Sequence, residues 1–246
     1  MRGRVLWSAL LVAGLAASAT GPLGTAAAQA NGGAIKGRIR LSGTPPGNSI
    51  IRMGVDPMCA SVNKGKRPLQ ELVVTSADGG LANVFVRLQG TFPPAPAPAA
   101  PVTIDQRGCI YTPRVVGAQV GQTLQVRNSD ALLHNVHTVS TGHNSFNVGQ
   151  PLSGMVYQFK LQQEEVMLPL KCDVHRWMTT YIGVVSHPYF AVSAGDGAFT
   201  IQNAPAGTYA IQTWHERYGG LSQRVTVKPG ATTTVDLAYT GNEKAP

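Results

Sequence analysis

Three residues whose side chains bind soft metal ions recur at intervals of three in "LKCDVHRWMTTYIGVV", residues 170–185. Cys172, His175 and Met178 supply a thiolate, an imidazole and a thioether. The whole chain contains only three cysteines and six methionines, so this concentration favours a metal-binding loop over a strand end that carries soft residues by coincidence. A complete metal site also needs donors from elsewhere in the chain.

A further donor is predicted in "NSDALLHNVH", residues 128–137. His134 and His137 have opposite parity in an extended strand, so only one of them can face the site, and we take His134. Two imidazoles, a thiolate and a weak thioether suit copper in a trigonal site. Zinc prefers more thiolates or carboxylates, and the C-x-x-C-H motif of haem attachment is absent. The predicted ligands of one copper ion are His134, Cys172, His175 and Met178.

The elements that must position these donors are predicted to be β-strands. Apolar and polar residues alternate in short runs between Gly and Pro turns, as in "GAIKGRIRLSG" and "MVYQFKL", and no helix-period run of useful length follows residue 30. In "EEVMLPLKC" the side chains of Val166, Leu168, Leu170 and Cys172 have one parity and are expected on one face. The predicted fold class is all-β.

Changes in composition divide the chain into predicted segments. Residues 33–92 hold two clear strands, and the Pro-rich stretch 93–101 favours polyproline II as a linker or an exposed loop. Residues 102–188 form a run of short strands of the right length for one β-sandwich. Residues 190–242 alternate like hairpins.

The N-terminus resembles a secretory signal peptide over residues 1–30. Arg2 and Arg4 precede an apolar stretch that is short for a membrane span, and "AAAQA" offers a cleavage site. We therefore expect a periplasmic or secreted protein, with no transmembrane segment after cleavage. In such a compartment cysteines tend to pair. If Cys172 binds metal, Cys59 and Cys109 can form a disulfide; the alternative is two buried free thiols.

The chain has a positive net charge, and its charged residues are scattered along the sequence. Removing residues 1–30, which hold two arginines and no acid, lowers the formal net charge from +8 to +6. An exported protein seldom meets nucleic acid, so no nucleic-acid partner is expected. A basic face could instead steer an acidic protein partner.

Residues 102–187 resemble a cupredoxin, the small blue-copper fold. The spacing C-x2-H-x2-M from Cys172 matches the ligand loop of amicyanin, and "HNV" from His134 matches the first-ligand motif of amicyanin and plastocyanin. "YTPRVVGAQVGQTLQVRNSD" is similar to the lead-in of that family. This chain departs from the pattern at Arg176, where the amicyanin loop has proline, and at Trp177, where it has phenylalanine.

The resemblance implies a Greek-key β-sandwich with one type 1 copper. It implies that Asn135 hydrogen-bonds the His134 strand to the ligand loop, and that His175 is the ligand nearest solvent and the electron port. Leu132, Leu133 and Trp177 would form an apolar docking rim, or belong to the core.

The C-terminal segment "DGAFTIQNAPAGTYAIQTWHE" resembles carboxypeptidase regulatory-like domains, which are prealbumin-type β-sandwiches. Such domains often begin with a strand like "GAIKGRIRLSG". Two arrangements follow: residues 33–92 and 190–242 form one smaller sandwich with the cupredoxin inserted, or three β units follow one another. The cluster "WHER", residues 214–217, is expected to hold a buried His–Glu pair.

The function implied by these resemblances is an exported blue-copper protein that carries single electrons between redox partners such as a cytochrome or a dehydrogenase. The alternatives are copper binding or storage without electron transfer, and an extracellular recognition module with a cupredoxin fold. No enzymatic activity is expected, because His137, His143, His187 and His215 are too few for the histidine cluster of a copper oxidase.

Overall fold

The structure is a computed structural model that describes residues 32–243. The predicted signal peptide, residues 1–30, lies outside the described residues. Within residues 32–243, no helix is both long and apolar enough to cross a membrane. Almost all of the regular secondary structure in the described residues is β-strand, as the sequence predicts.

Nine strands in the middle of the chain form a cupredoxin-like β-sandwich. Their bounds are Val102–Gln106 (β3), Tyr111–Thr112 (β4), Val115–Gln119 (β5), Thr123–Asn128 (β6), His134–Thr138 (β7), Asn147–Gln150 (β8), Val156–Lys160 (β9), Glu165–Lys171 (β10) and Thr179–Val185 (β11). One sheet has the order β5-β11-β10-β7-β8 and the other β4-β3-β6-β9. Alternate residues such as Leu124 and Val126 point between the sheets and are fully buried.

Strands from both ends of the chain form a second sandwich. Their bounds are Gly33–Leu41 (β1), Phe85–Gln89 (β2), Phe190–Val192 (β12), Ala198–Ala204 (β13), Gly207–Trp214 (β14), Ser222–Val227 (β15), Thr232–Thr234 (β16) and Leu237–Tyr239 (β17). β1 pairs with β13, β16 and β17, and the other sheet has the order β12-β2-β14-β15. The strand pairing is therefore that of the inserted arrangement, with β3–β11 between the two parts of the outer sandwich.

The two sandwiches touch through a mixed apolar and charged contact. Phe85 and Val185 are buried there, and an added Cβ at Gly183 would lie 2.5 Å from the ring of Phe85. Arg114 of the central sandwich pairs with Glu216, which follows β14, at 2.5 and 2.8 Å. The predicted His–Glu pair in "WHER" is thus wrong. Arg114 takes the carboxylate of Glu216, because a guanidinium is a stronger partner for it than an imidazole. His215 stacks on Tyr218 instead.

Residues 50–67, here called the cover segment, leave the outer sandwich and pack on the central one. A 3-10 turn at Met53–Val55 leads into a short helix, α1, at Pro57–Val62. Ile51, Met53 and Cys59 join the central core. Cys59 forms a disulfide with Cys109, as the sequence predicts. This stretch of residues 33–92 therefore belongs, by its contacts, with the central sandwich.

Strand β10 carries the cysteine to the site through a β-bulge. The pairing with β11 shifts between Glu165 and Leu168, and Met167 adopts a positive φ of 64°. Leu168, Leu170 and Cys172 keep one buried face, but Val166 is exposed. The predicted common face is wrong at Val166 because the bulge inserts an extra residue and reverses the alternation.

Candidate metal centre

Three elements bring the nitrogen and sulfur donors together at one end of the central sandwich. His134 is the first residue of β7, Cys172 follows β10, and His175 lies in the turn before β11. Residues 172–178, the ligand loop, are closed by hydrogen bonds from Cys172 N to Met178 O (3.2 Å) and from Met178 N to His175 O (2.9 Å). Tyr111 braces the strands by donating its hydroxyl to Asn135 O at 2.6 Å.

The donors of His134, Cys172 and His175 converge on one point. Nδ1 of His134 lies 3.1 Å from Nδ1 of His175, which lies 3.7 Å from Sγ of Cys172. All three side chains are buried. When two nitrogens bind at about 2.0 Å and a thiolate at about 2.3 Å around one ion, the N–N and N–S separations are about 3.3 and 3.6 Å. The observed separations fit a single shared metal ion.

The outer nitrogens of both histidines face carboxylates. Nε2 of His134 lies 2.9 Å from Asp130 Oδ2, and Nε2 of His175 lies 3.0 Å from Asp56 Oδ2. Each carboxylate can only accept, so each Nε2 carries a hydrogen and each neutral imidazole presents its Nδ1 lone pair to the centre. Two lone pairs 3.1 Å apart repel unless a cation lies between them. The geometry therefore suits a metal ion or, in its absence, a shared proton.

The electrostatics of the metal-free site agree with this geometry. Burial opposes charge on His134 and His175, but the hydrogen bonds that they donate to Asp130, Asp56 and Cys172 outweigh it and raise the pKa of both imidazoles. Burial likewise opposes ionisation of Cys172, yet hydrogen bonds from both histidines and from backbone N–H groups lower its pKa to about 6. A thiol whose pKa is lowered in this way is ready to bind a metal ion as the thiolate.

Asp130 is a functional residue that the sequence analysis missed. It accepts hydrogen bonds from the backbone N–H groups of Gly108 (2.7 Å) and Cys109 (2.8 Å) as well as from His134. Burial acts to raise its pKa, but these hydrogen bonds hold the pKa below the ordinary value. Its position four residues before His134 in "NSDALLH" was the available signal.

Asn135 joins β7 to the ligand loop. Its Oδ1 accepts a hydrogen bond of 2.9 Å from the backbone N–H of Asp173, and its Nδ2 donates to Asn147. This is the contact that the resemblance implies for Asn135. His137, on the opposite face of the strand, points outward and lies 2.9 Å from Asp173 Oδ1.

Met178, the expected axial ligand, is buried in the same apolar cluster as Cys172. Its backbone closes the ligand loop onto Cys172. A thioether is a weak donor, and such a donor suits copper better than zinc.

Two expectations about exposure differ from the structure. His175 is not the solvent-facing edge of the site: it is 1% exposed, because Asp56 and Cys59 cover its outer nitrogen, with Cys59 Sγ 3.4 Å from Nε2. Leu132 belongs to the core and not to a docking rim, since its side chain packs inside the central sandwich. Leu133 is exposed, and Trp177 is half-buried.

Asp56 and the cover segment were also missed. The signal for a helix start is present in "DPMC": Asp56 Oδ1 accepts from Met58 N (2.8 Å) and Cys59 N (3.0 Å), with Pro57 opening the helix. The sequence could not show that the second oxygen of the same carboxylate reaches a histidine 119 positions away.

Comparison with known proteins gives a family model, "Polysaccharide lyase family 4, domain II", that matches residues 167–235. This stretch runs from the end of the central sandwich into the outer one. No curated protein matches the chain.

Several solved structures resemble the chain over about a third of its length. A Cu-containing nitrite reductase from Thermus scotoductus SA-01 has 21% identity and a TM-score of 0.32, covering 37% of this chain and 25% of its own. The oxidised P94A mutant of amicyanin has 21% identity and a TM-score of 0.30, covering 34% and 81%. A purple cupredoxin from Nitrosopumilus maritimus has 21% identity and a TM-score of 0.29, covering 33% and 97%. The chain thus matches only a quarter of the nitrite reductase, and these likenesses concern the fold.

Proposed function

We propose that this protein is an exported type 1 copper protein that carries single electrons between redox partners. The observation that carries the proposal is the convergence of two Nδ1 atoms and a thiolate, with both imidazole tautomers set by carboxylates. His134, Cys172 and His175 would hold the copper, with Met178 as a weak axial donor. Bound copper would supply a one-electron couple, and the thiolate a covalent path to the protein.

The chain's own residues would keep such a site rigid and shielded from solvent. Asp130 and Asp56 orient the imidazoles, Asn135 holds the ligand loop to β7, and the disulfide keeps the cover segment over His175. A ligand set that cannot rearrange lowers the cost of changing oxidation state, because little must move when one electron is gained or lost. Partners of the carrier would be redox proteins in the periplasm or outside the cell, and the outer sandwich would act as a regulatory-like binding module.

The test is the visible spectrum after adding Cu(II) to the purified protein, with the Cys172→Ser variant as control. We expect an intense thiolate-to-copper absorption band that the variant lacks, together with a reversible one-electron couple in voltammetry. A colourless copper adduct, or a band that persists in Cys172→Ser, would overturn the proposal.

Copper holding without electron transfer is a second candidate, favoured by the burial of His175 beneath the cover segment. A closed site retains its ion well. This alternative predicts tight copper binding with no reversible couple, so the same voltammetry separates the two functions.

A further inference from the structure

The cover segment blocks the edge of the site through which an exposed ligand would meet a partner. Asp56 Oδ2 and Cys59 Sγ lie 3.0 and 3.4 Å from Nε2 of His175. The disulfide to Cys109 and the hydrogen bond from Asn63 Nδ2 to Gly108 O (3.0 Å) hold the segment down. A redox partner therefore cannot touch His175 at this edge while the cover segment is in place.

A groove of about 690 Å³ opens where the cover segment meets the ligand loop. The residues that form it and matter here are Ile50, Arg52, Val55, Val174, Arg176 and Trp177. Val55 is 81% exposed, and Ile50 and Val174 are exposed too. Exposed apolar side chains concentrated in one concave place, with polar residues around them, are typical of a protein interaction site.

Trp177 connects this groove to the metal site. Its ring is centred 5.1 Å from the ring of His175, and its Nε1 donates to Cys109 O at 2.9 Å. Because Trp177 is half-buried and lines the groove, it is a contact between the surface and a metal ligand that does not pass through the covered edge of His175.

The charge around the groove is positive. Arg52 and Arg176 are exposed at its rim and form no ion pair within residues 32–243. Elsewhere on the cover segment lie Lys64, Lys66 and Arg67, while its one acid, Asp56, is occupied by His175. Unpaired positive charges around an apolar centre attract an acidic partner and speed its association.

We propose that the groove between the cover segment and the ligand loop is the docking site of an acidic redox protein, with Trp177 as the contact closest to the metal. This inference rests on the proposed electron-carrier function. In the exchange the partner loses one electron and the bound copper gains it, so no proton or further reagent is needed.

The test measures reduction of the Cu(II) protein by stopped flow, using two reduced small c-type cytochromes, one with an acidic surface and one with a basic surface. Two groove variants share Arg52→Glu: Arg52→Glu/Arg176→Glu reverses both arginines that line the groove, and Arg52→Glu/Lys66→Glu changes the cover segment alone. The matched control is Arg224→Glu/Lys228→Glu, two exposed positive residues on the outer sandwich. The visible spectrum of each variant reports whether the copper site is intact.

We expect the acidic cytochrome to react faster, to lose about ten-fold in rate with either groove variant at low salt, and to slow as salt is added to the unchanged protein. The control should lose less than about two-fold. A normal spectrum with equal losses in groove and control variants, or a faster reaction with the basic cytochrome, overturns the docking site alone. Absence of the copper band or of a reversible couple overturns the carrier function and the docking site with it.

Discussion

At the scale of single residues, the thiol of Cys172 has the most distinctive property of the site. Hydrogen bonds to the two histidines and backbone N–H groups lower its pKa from the ordinary 9.0 to about 6 against the effect of burial. We expect the ultraviolet thiolate absorbance of the metal-free protein to titrate near pH 6. Cys172 is the free cysteine of the described residues, so Cys172→Ser should abolish this signal.

The same shift predicts how stability depends on pH. Because the thiol is more acidic in the folded protein than in the unfolded chain, its contribution is complete above about pH 9 and is lost as the pH falls through about 6. A thiolate signal that titrates near pH 9, the ordinary value of a cysteine, would contradict the hydrogen-bonding pattern.

Asp130 orients the proposed ligand His134, and replacing one carboxylate oxygen of Asp130 with an amide nitrogen tests this role. In Asp130→Asn an amide N–H or a weaker oxygen meets Nε2 of His134, and the imidazole is no longer held with its Nδ1 lone pair toward the metal. We expect copper affinity to fall by about 10- to 100-fold in competition with a chelator. Asp173→Asn is the matched control, since Asp173 contacts His137, which is not a ligand. Equal affinities of the two variants would show that Asp130 does not orient the site.

The candidate metal donors could be predicted from residue types in the sequence, but the carboxylates that hold the histidines could not. Cysteine, histidine and methionine are scarce, so their spacing at 172, 175 and 178 is informative. Aspartate is common on surfaces, and nothing marks Asp56 as the partner of His175, which lies 119 positions away. The burial of His175 follows from that long-range contact and could not be predicted from the ligand loop alone.

At the scale of elements, strands were predictable because alternation follows from the pleat, whereas irregularities were not. The bulge at Met167 depends on a positive φ that a methionine rarely adopts, and it is imposed by the shifted pairing with β11. Helix α1 has only six residues, too few to show a helical period. Its place over the site is fixed by the disulfide and by core packing.

The cover segment gives a prediction at this scale. Cys59→Ala/Cys109→Ala removes a disulfide that spans 50 positions, and the loop-entropy model predicts a loss of about 4 kcal/mol in the free energy of unfolding. Copper should also pass faster to a chelator, because the segment over His175 is no longer tethered. Both quantities can be measured by urea unfolding and by the decay of the copper band.

A reductant supplies the control for that variant. It should lower the stability of the unchanged protein toward that of the variant once unfolding exposes the buried disulfide, and leave the variant's stability unchanged. Equal rates of copper transfer to the chelator from the unchanged protein and from the variant without the disulfide would mean that the cover segment stays in place without this bond.

At the scale of the whole molecule, the sequence offered two arrangements and the strand pairing shows one. The resemblance of residues 33–43 and of residues 196–209 to strands of one domain family suggested a single outer sandwich, and in the structure β1 pairs with β13, β16 and β17. The contact between the two sandwiches was not predictable, since Arg114 and Glu216 are 102 positions apart.

Two ion pairs connect the two sandwiches, and they differ in burial. Arg114 and Glu216 are 14% and 15% exposed, whereas Glu164, the partner of Arg87, is 41% exposed. Glu216→Ala leaves the largely buried Arg114 guanidinium without its carboxylate partner, which lowers the free energy of unfolding by about 3 kcal/mol. Glu164→Ala should cost at most about 1 kcal/mol. In calorimetry the first variant should lower Tm by about 6–12 °C and the second by at most about 4 °C, since 1 kcal/mol shifts Tm by about 2–4 °C in a chain of this size. Equal shifts would mean that apolar packing around Phe85, and not the buried ion pair, holds the outer sandwich to the central one.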